Sequence, residues 1–424
     1  MDSLSDFGSF AYYFNVIAVK TAKAPELFSA AMLESTVFLA VAAGMSVLAN
    51  LLLLKTIDLQ FSEPIYAEGR ERLLTQPSDK RQGVLNLPFL LQHSAPKTSL
   101  GTVLYLLFLA CFLIEVMRFS MYWGLELYSQ LGVSNFQAWS GLMLLFLVGA
   151  TCLSFQDMEK AQILCVFLNV LLAVCDCLLP KTNNRMLESQ FPLFMLYLSN
   201  QLIVPTVVAA SRASTEKQSR LQAWAIGTVA VLFLALGLAM HGERPELSNS
   251  TTTLLEQVRG LIFMPCVFAC VHIRLRVLAE VVIAWRYGLD VKLARAQYPV
   301  RVKAVQVLLP LVVALPCFHL AYFQVTEVQD LIMLPEGYML VVSTFFLIIP
   351  YCYNNTVHEL GGSAEQERAP VWWSYVLYAG GLTSLFATLY SFTQLESNKG
   401  LLTLVVDLGL LGLMLLWQVL GNFF

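Results

Sequence analysis

Charge is what this chain has least of. Only 13% of its 424 residues are charged, while 57% are hydrophobic and the mean hydropathy is +0.66. Soluble proteins carry about 25% charged and about 45–50% apolar residues. Too little polar surface is left to cover a water-soluble globule, which excludes soluble-enzyme, disordered and collagen-like readings. Cysteine outside apolar stretches is missing as well. All nine (111, 152, 165, 175, 177, 266, 270, 317 and 352) fall within or at the edges of apolar runs, so no secreted disulfide framework is implied. A basic leader is absent too, since Asp2 and Asp6 stand where a signal n-region would carry Lys or Arg. No polar stretch exceeds 45 residues, so residues 1–424 read as a single transmembrane domain.

Catalytic signatures are also lacking: there is no HExxH, no GxSxG and no P-loop. Asp290 is followed by Val291, where a lipid phosphatidyltransferase signature needs glycine. An enzyme is therefore not expected. Cys175 and Cys177 point about 200° apart on a helix, and Cys266 and Cys270 share a face from which His272 is turned away. His272 and His319 read at opposite ends of their spans, so they cannot ligate one haem. Neither a metal nor a cofactor is expected.

What the chain has is apolar length. A helix needs roughly 20 apolar residues to cross about 30 Å of hydrocarbon. Eleven stretches approach that: 30–54, 100–123, 137–155, 161–179, 191–210, 221–240, 256–273, 304–323, 337–353, 371–391 and 400–422. The expected fold is an all-α, multi-pass transmembrane bundle of about 11 spans, with a range of 10–12. The runs are continuous and Leu-rich, unlike the alternating strands of a membrane barrel. Alternate connections collect 18 of the 26 Lys and Arg residues against six on the other side. The positive-inside rule then predicts an outer N-terminus and an inner C-terminus, with 55–99 an inner polar loop. The sequon at Asn249 reads as outer and glycosylatable, and the one at Asn354 as inner and silent.

Ionisable residues inside spans are costly and mark functional candidates. Glu115, Arg118, Asp176, His319 and Asp407 are the substrate- or ion-binding candidates. Glu115 and Arg118, like Glu256 and Arg259, are three apart on one helical face and could pair locally, whereas Asp176 and Asp407 have no local partner. These charges lie towards the outer side, suggesting a polar vestibule that opens outward. Asn50, Asn169, Asn200 and Gln201 are the polar features of the inner half. Pro310 and Pro316 make the eighth span the expected irregular helix, and no inverted repeat is evident.

Residues 274–303 form an inner basic amphipathic segment, which Pro299 should end. Arg274, Arg276, Arg286, Lys292 and Arg295 are its candidates for anionic lipid headgroups. The bilayer is the expected partner, further membrane subunits are possible ones, and nucleic acid is excluded by a net charge of -3. The leading functional expectation is solute or ion translocation, as a carrier or channel-like protein. The alternative is a non-catalytic structural or accessory subunit of a larger membrane complex.

Overall fold

The computed structural model describes residues 4–23, 28, 32–61, 87, 90, 113, 115–121, 123–125, 128, 139–179, 190–211, 213–241, 249–287, 291–323, 335–360 and 369–394. Apart from one isolated bridge between Leu4 and Ser211, their regular structure is helical. The helices are α1 (Asp6–Ala18), α2 (Met32–Phe61), α3 (Trp139–Cys152), α4 (Glu159–Leu178), α5 (Gln190–Leu198) and α6 (Val204–Ala210). They continue as α7 (Thr215–His241), α8 (Asn249–Tyr287), α9 (Val291–Gln297), α10 (Pro299–Tyr322), α11 (Pro335–Leu360) and α12 (Val371–Gln394). The eleventh expected span, with Asp407, lies outside the described residues, as do most of 55–99 and of 100–123.

Five described helices are long and apolar enough to cross a membrane: Met32–Leu59, Glu159–Leu178, Thr215–Ala239, Ser250–Tyr287 and Pro299–Tyr322. Their outward faces are greasy. On α4, Leu164, Phe167, Leu171 and Val174 are exposed at helical spacing, while Gln162, Cys165, Asn169 and Leu172 face the protein. Trp224, Val231 and Leu238 repeat the pattern on α7. A surface apolar outside and polar within is the inverse of a soluble helix, and it suits lipid as solvent.

The centre is occupied by an element to which the sequence reading assigned no helix. Ser5 caps α1 by accepting the Gly8 N–H at 3.0 Å, and Asp6 favours the first turn. From Ala11 to Thr21 every residue is buried, packed among α4, α7 and α8. Lys217 on α7 meets Asp6 at 2.5 Å, and the Leu4 N–H donates to the Ala210 carbonyl at 3.1 Å. At the other end, Phe28 stacks edge-on with Phe194 at 5.6 Å and lies so close to Gly237 that a Cβ there would overlap its ring. Asp6 therefore lies beside Lys217, at the same end of the bundle, and Phe28 beside Gly237 towards the other end of α7.

Pro299 does close the preceding helix, since α9 stops at Gln297, and it also opens α10 at its first turn, where no N–H donor is needed. One proline expectation is corrected. Pro310 and Pro316 sit inside α10 as one continuous helix of 24 residues. The interruption lies elsewhere, at Ser199–Ile203 between α5 and α6.

Candidate functional site

Two helices stop in the middle of the bundle. α1 enters from the Lys217 end and gives way at Val19–Lys23 to a 3-10 turn. α5 enters from the Gly237 end, where Phe194 and Tyr197 pack on Phe233, and stops at Leu198. Each C-terminus leaves backbone carbonyls without helical partners and carries roughly half a negative charge.

Basic side chains close both ends. The Lys20 ammonium donates to the carbonyls of Leu196 at 3.1 Å and Ser199 at 3.4 Å, at the end of α5. The Arg274 guanidinium, from α8, donates to the Val16 carbonyl at 3.1 Å, at the end of α1. A single carboxylate serves both cations: Glu115 ion-pairs with Arg274 and lies 3.6 Å from Lys20. Phe119, one turn beyond Glu115, places its ring 4.3 Å below the Arg274 guanidinium, a cation–π contact. Lys20, Glu115 and Arg274 have side-chain exposures of 3%, 2% and 1%. Charges buried this deeply require close compensation. Lys20 and Arg274 are set against one carboxylate and two half-charged helix ends, and the buried Arg118 adds a further cation to the same region.

A second polar group surrounds the interruption itself. Asn50 of α2 donates to the Asn200 side-chain carbonyl at 2.7 Å. Asn50 Oδ1, Asn200 Nδ2, Gln201 Nε2 and Thr206 Oγ1 are buried and have no partner among the described residues. Buried polar atoms are normally satisfied, so such a cluster marks a place for water or a ligand. On the far side of α1, Asn15 donates to Gln162 Oε1 at 2.8 Å and accepts from Asn169 at 3.1 Å. Gln162 lies 3.4 Å from His272 Nδ1, and His272 Nε2 lies 3.1 Å from the Ala150 carbonyl.

The sequence candidates divide accordingly. Glu115 is at the centre, and Arg118 is buried one turn along the same helical stretch. Asp176 is paired, at 2.5 Å, with Arg259 of α8, 83 residues away. His319 is apart from both groups: it is exposed, bonds the Leu315 carbonyl of its own helix at 3.2 Å and tilts against Phe323. Arg274 and Arg276 are corrected as headgroup ligands. Both are buried, Arg276 donating to the Thr151 carbonyl at 2.9 Å and pairing with Glu280 at 3.2 Å. Arg286 and Arg295 are exposed, and the side chains of Lys292 and Asn249 lie outside the described residues. Among the described residues no three His, Cys, Asp or Glu converge as metal ligands.

Lys20 was missed, and so was the break between α5 and α6, although Asn50, Asn200 and Gln201 were singled out as polar. Their signal is a shared spacing. Lys20 and Asn200 each follow an apolar run and precede a proline, Pro25 or Pro205, by five residues.

No protein-family model matches the chain, and no curated protein matches it. In three dimensions it is similar to crystal structures of a manganese transporter from Eremococcus coleocola. For that protein in complex with an aromatic bis-isothiourea substituted compound, the TM-score is 0.58 at 11% identity, over 98% of this chain and 94% of that one. For one of its mutants the TM-score is 0.59 at 10% identity, over 99% and 94%. Likeness at this identity is one of fold: the chain is an integral, multi-pass membrane protein whose helical architecture is similar to that of these structures.

Proposed function

We propose that the chain is a membrane carrier that passes a small polar solute across the α5–α6 interruption. The observation that carries this reading is the set of unpartnered amide and hydroxyl atoms of Asn50, Asn200, Gln201 and Thr206 around a broken helix in the bundle centre. Carriers commonly bind their cargo at such interruptions, where irregular backbone lines a cavity instead of meeting lipid. The manganese of the neighbouring structures is not carried over. At the end of α5 this chain places an ammonium, and the side chains that adjoin the interruption, Asn50 and Asn200, are amides. Glu115 is closed to solvent and does not line an open vestibule here.

Counting residues 6–28 as a crossing gives twelve, and it puts the N-terminus on the inner side with Lys217 and Arg220. The positive-inside asymmetry then sharpens. Lys20 and Lys23 leave the outer set and the buried Arg274 and Arg276 leave the inner one, so sixteen basic residues face four. Exposed Arg286 and Arg295, with Trp285 as an interfacial anchor, are the remaining headgroup contacts.

A thermal-shift screen of the purified protein against small polar solutes and Mn2+, followed by uptake into proteoliposomes, tests the assignment. A polar solute should stabilise saturably and be taken up, with both effects lost in Asn200→Ala. Stabilisation by Mn2+ that survives Asn200→Ala would place the cargo elsewhere. No uptake, together with purification only alongside fixed partners, would favour the accessory-subunit reading.

A further inference from the structure

We infer that the Lys20 ammonium is a tethered replacement for a free monovalent cation between the two interrupted helices, so the chain carries permanently the charge that such a site would otherwise borrow from solution. The argument concerns the helix ends and stands whichever solute is moved. Two C-termini converging in a low-dielectric interior, each with roughly half a negative charge, form a cation site by themselves. In this chain the Leu196 and Ser199 carbonyls and Glu115 supply the oxygens, and all three point at one nitrogen. The ammonium donates to the two carbonyls and sets its charge against Glu115 at 3.6 Å, so it occupies the place a free cation would take. The side chain is 3% exposed, so it is held inside the site and not passing through it.

Charge decides which ion would fit. Lys20 contributes one positive charge to this group, so its removal leaves the site one charge short of its native balance, whatever Arg274 and the buried Arg118 contribute. One monovalent cation restores that balance, and a divalent ion would overshoot it. Lys20→Ala should therefore open a site for Na+, K+ or a small alkylammonium such as ethylammonium, which restores the deleted head group.

The test compares melting temperatures of full-length purified protein in choline chloride and in NaCl, KCl or ethylammonium chloride at equal ionic strength. The wild-type protein should melt at the same temperature in all four. Lys20→Ala should melt lower in choline and regain on the order of 5 °C with a small monovalent cation at a hundredfold excess over its Kd. Mn2+ should give no comparable gain. A folded Lys20→Ala protein indifferent to small cations, or one rescued by Mn2+ alone, overturns the inference. Binding of radioactive Na+ to the wild-type protein keeps it falsifiable if Lys20→Ala does not fold. Saturable binding that Glu115→Gln removes would show that the site still takes a free ion beside Lys20, and none is expected.

Discussion

Asp6 and Lys217 join the start of α1 to the start of α7 through an ion pair of 2.5 Å. Both side chains are about half exposed, so the pair adds little stability; it fixes a place. Cysteine introduced at Asp2, in a chain freed of its own cysteines, should react with an impermeant maleimide from the same side as cysteine at Ser214. Cysteine at Ser250 should react from the other. Labelling of Asp2→Cys from the Ser250 side would remove residues 6–28 from the set of crossings. A glycan at Asn354 in place of Asn249 would invert the whole topology.

Glu115 neutralises two buried cations, so its removal should cost more than the loss of one hydrogen bond. Breaking a buried ion pair on one side typically costs about 3–5 kcal/mol. Glu115→Gln should lower the melting temperature sharply and abolish uptake. Adding Lys20→Met should recover part of the stability, because one orphaned cation goes with it. A double mutant less stable than the sum of the two singles would contradict the shared role of the carboxylate.

Asp176 and Arg259 tie α4 to α8, with side-chain exposures of 8% and 26%. Arg259→Asp should destabilise by placing two acids together, and Asp176→Arg in the same chain should restore most of the loss. Failure of that reversal in a melting assay would mean the pair is incidental to packing.

Asn50 holds the α5–α6 interruption through a buried bond to Asn200. Replacing Asn50 with Leu leaves the Asn200 carbonyl unsatisfied, a change worth about 1–3 kcal/mol. The variant should fold with a lowered melting temperature and a raised KM for the carried solute. An unchanged KM would separate the amide pair from the cargo site.

The apolar runs of α2, α4, α7 and α10 are legible in sequence because each faces lipid on one side and protein on the other, and both solvents accept Leu and Phe. α1 is not legible in that way. Its apolar run is short and is followed by Lys20 and Lys23, which read as a loop unless the distant carbonyls that receive Lys20 are known. The prolines misled for a related reason. Neighbouring groups can absorb a lost N–H donor within α10, whereas the interruption at Ser199–Ile203 has no proline of its own. The charges of Glu115 and Asp176 were visible, but their partners Arg274 and Arg259 lie 159 and 83 residues away. Sequence spacing speaks only for pairs on one helix. Arg274 in particular read as part of a basic surface because its run of neighbours is basic.

The burial of α1 also dictates an order of events during synthesis. This helix is made first, yet its polar groups are satisfied by the last-made parts of its surroundings: Asn15 by Gln162, Lys20 by Leu196, Tyr13 by Gln218 and the Val16 carbonyl by Arg274. Until Leu196 and Ser199 have emerged, Lys20 has only Glu115 to meet it, and until α8 has emerged the Val16 carbonyl lacks Arg274. The seat of α1 is therefore complete only once residue 274 has been translated, more than half of the chain later.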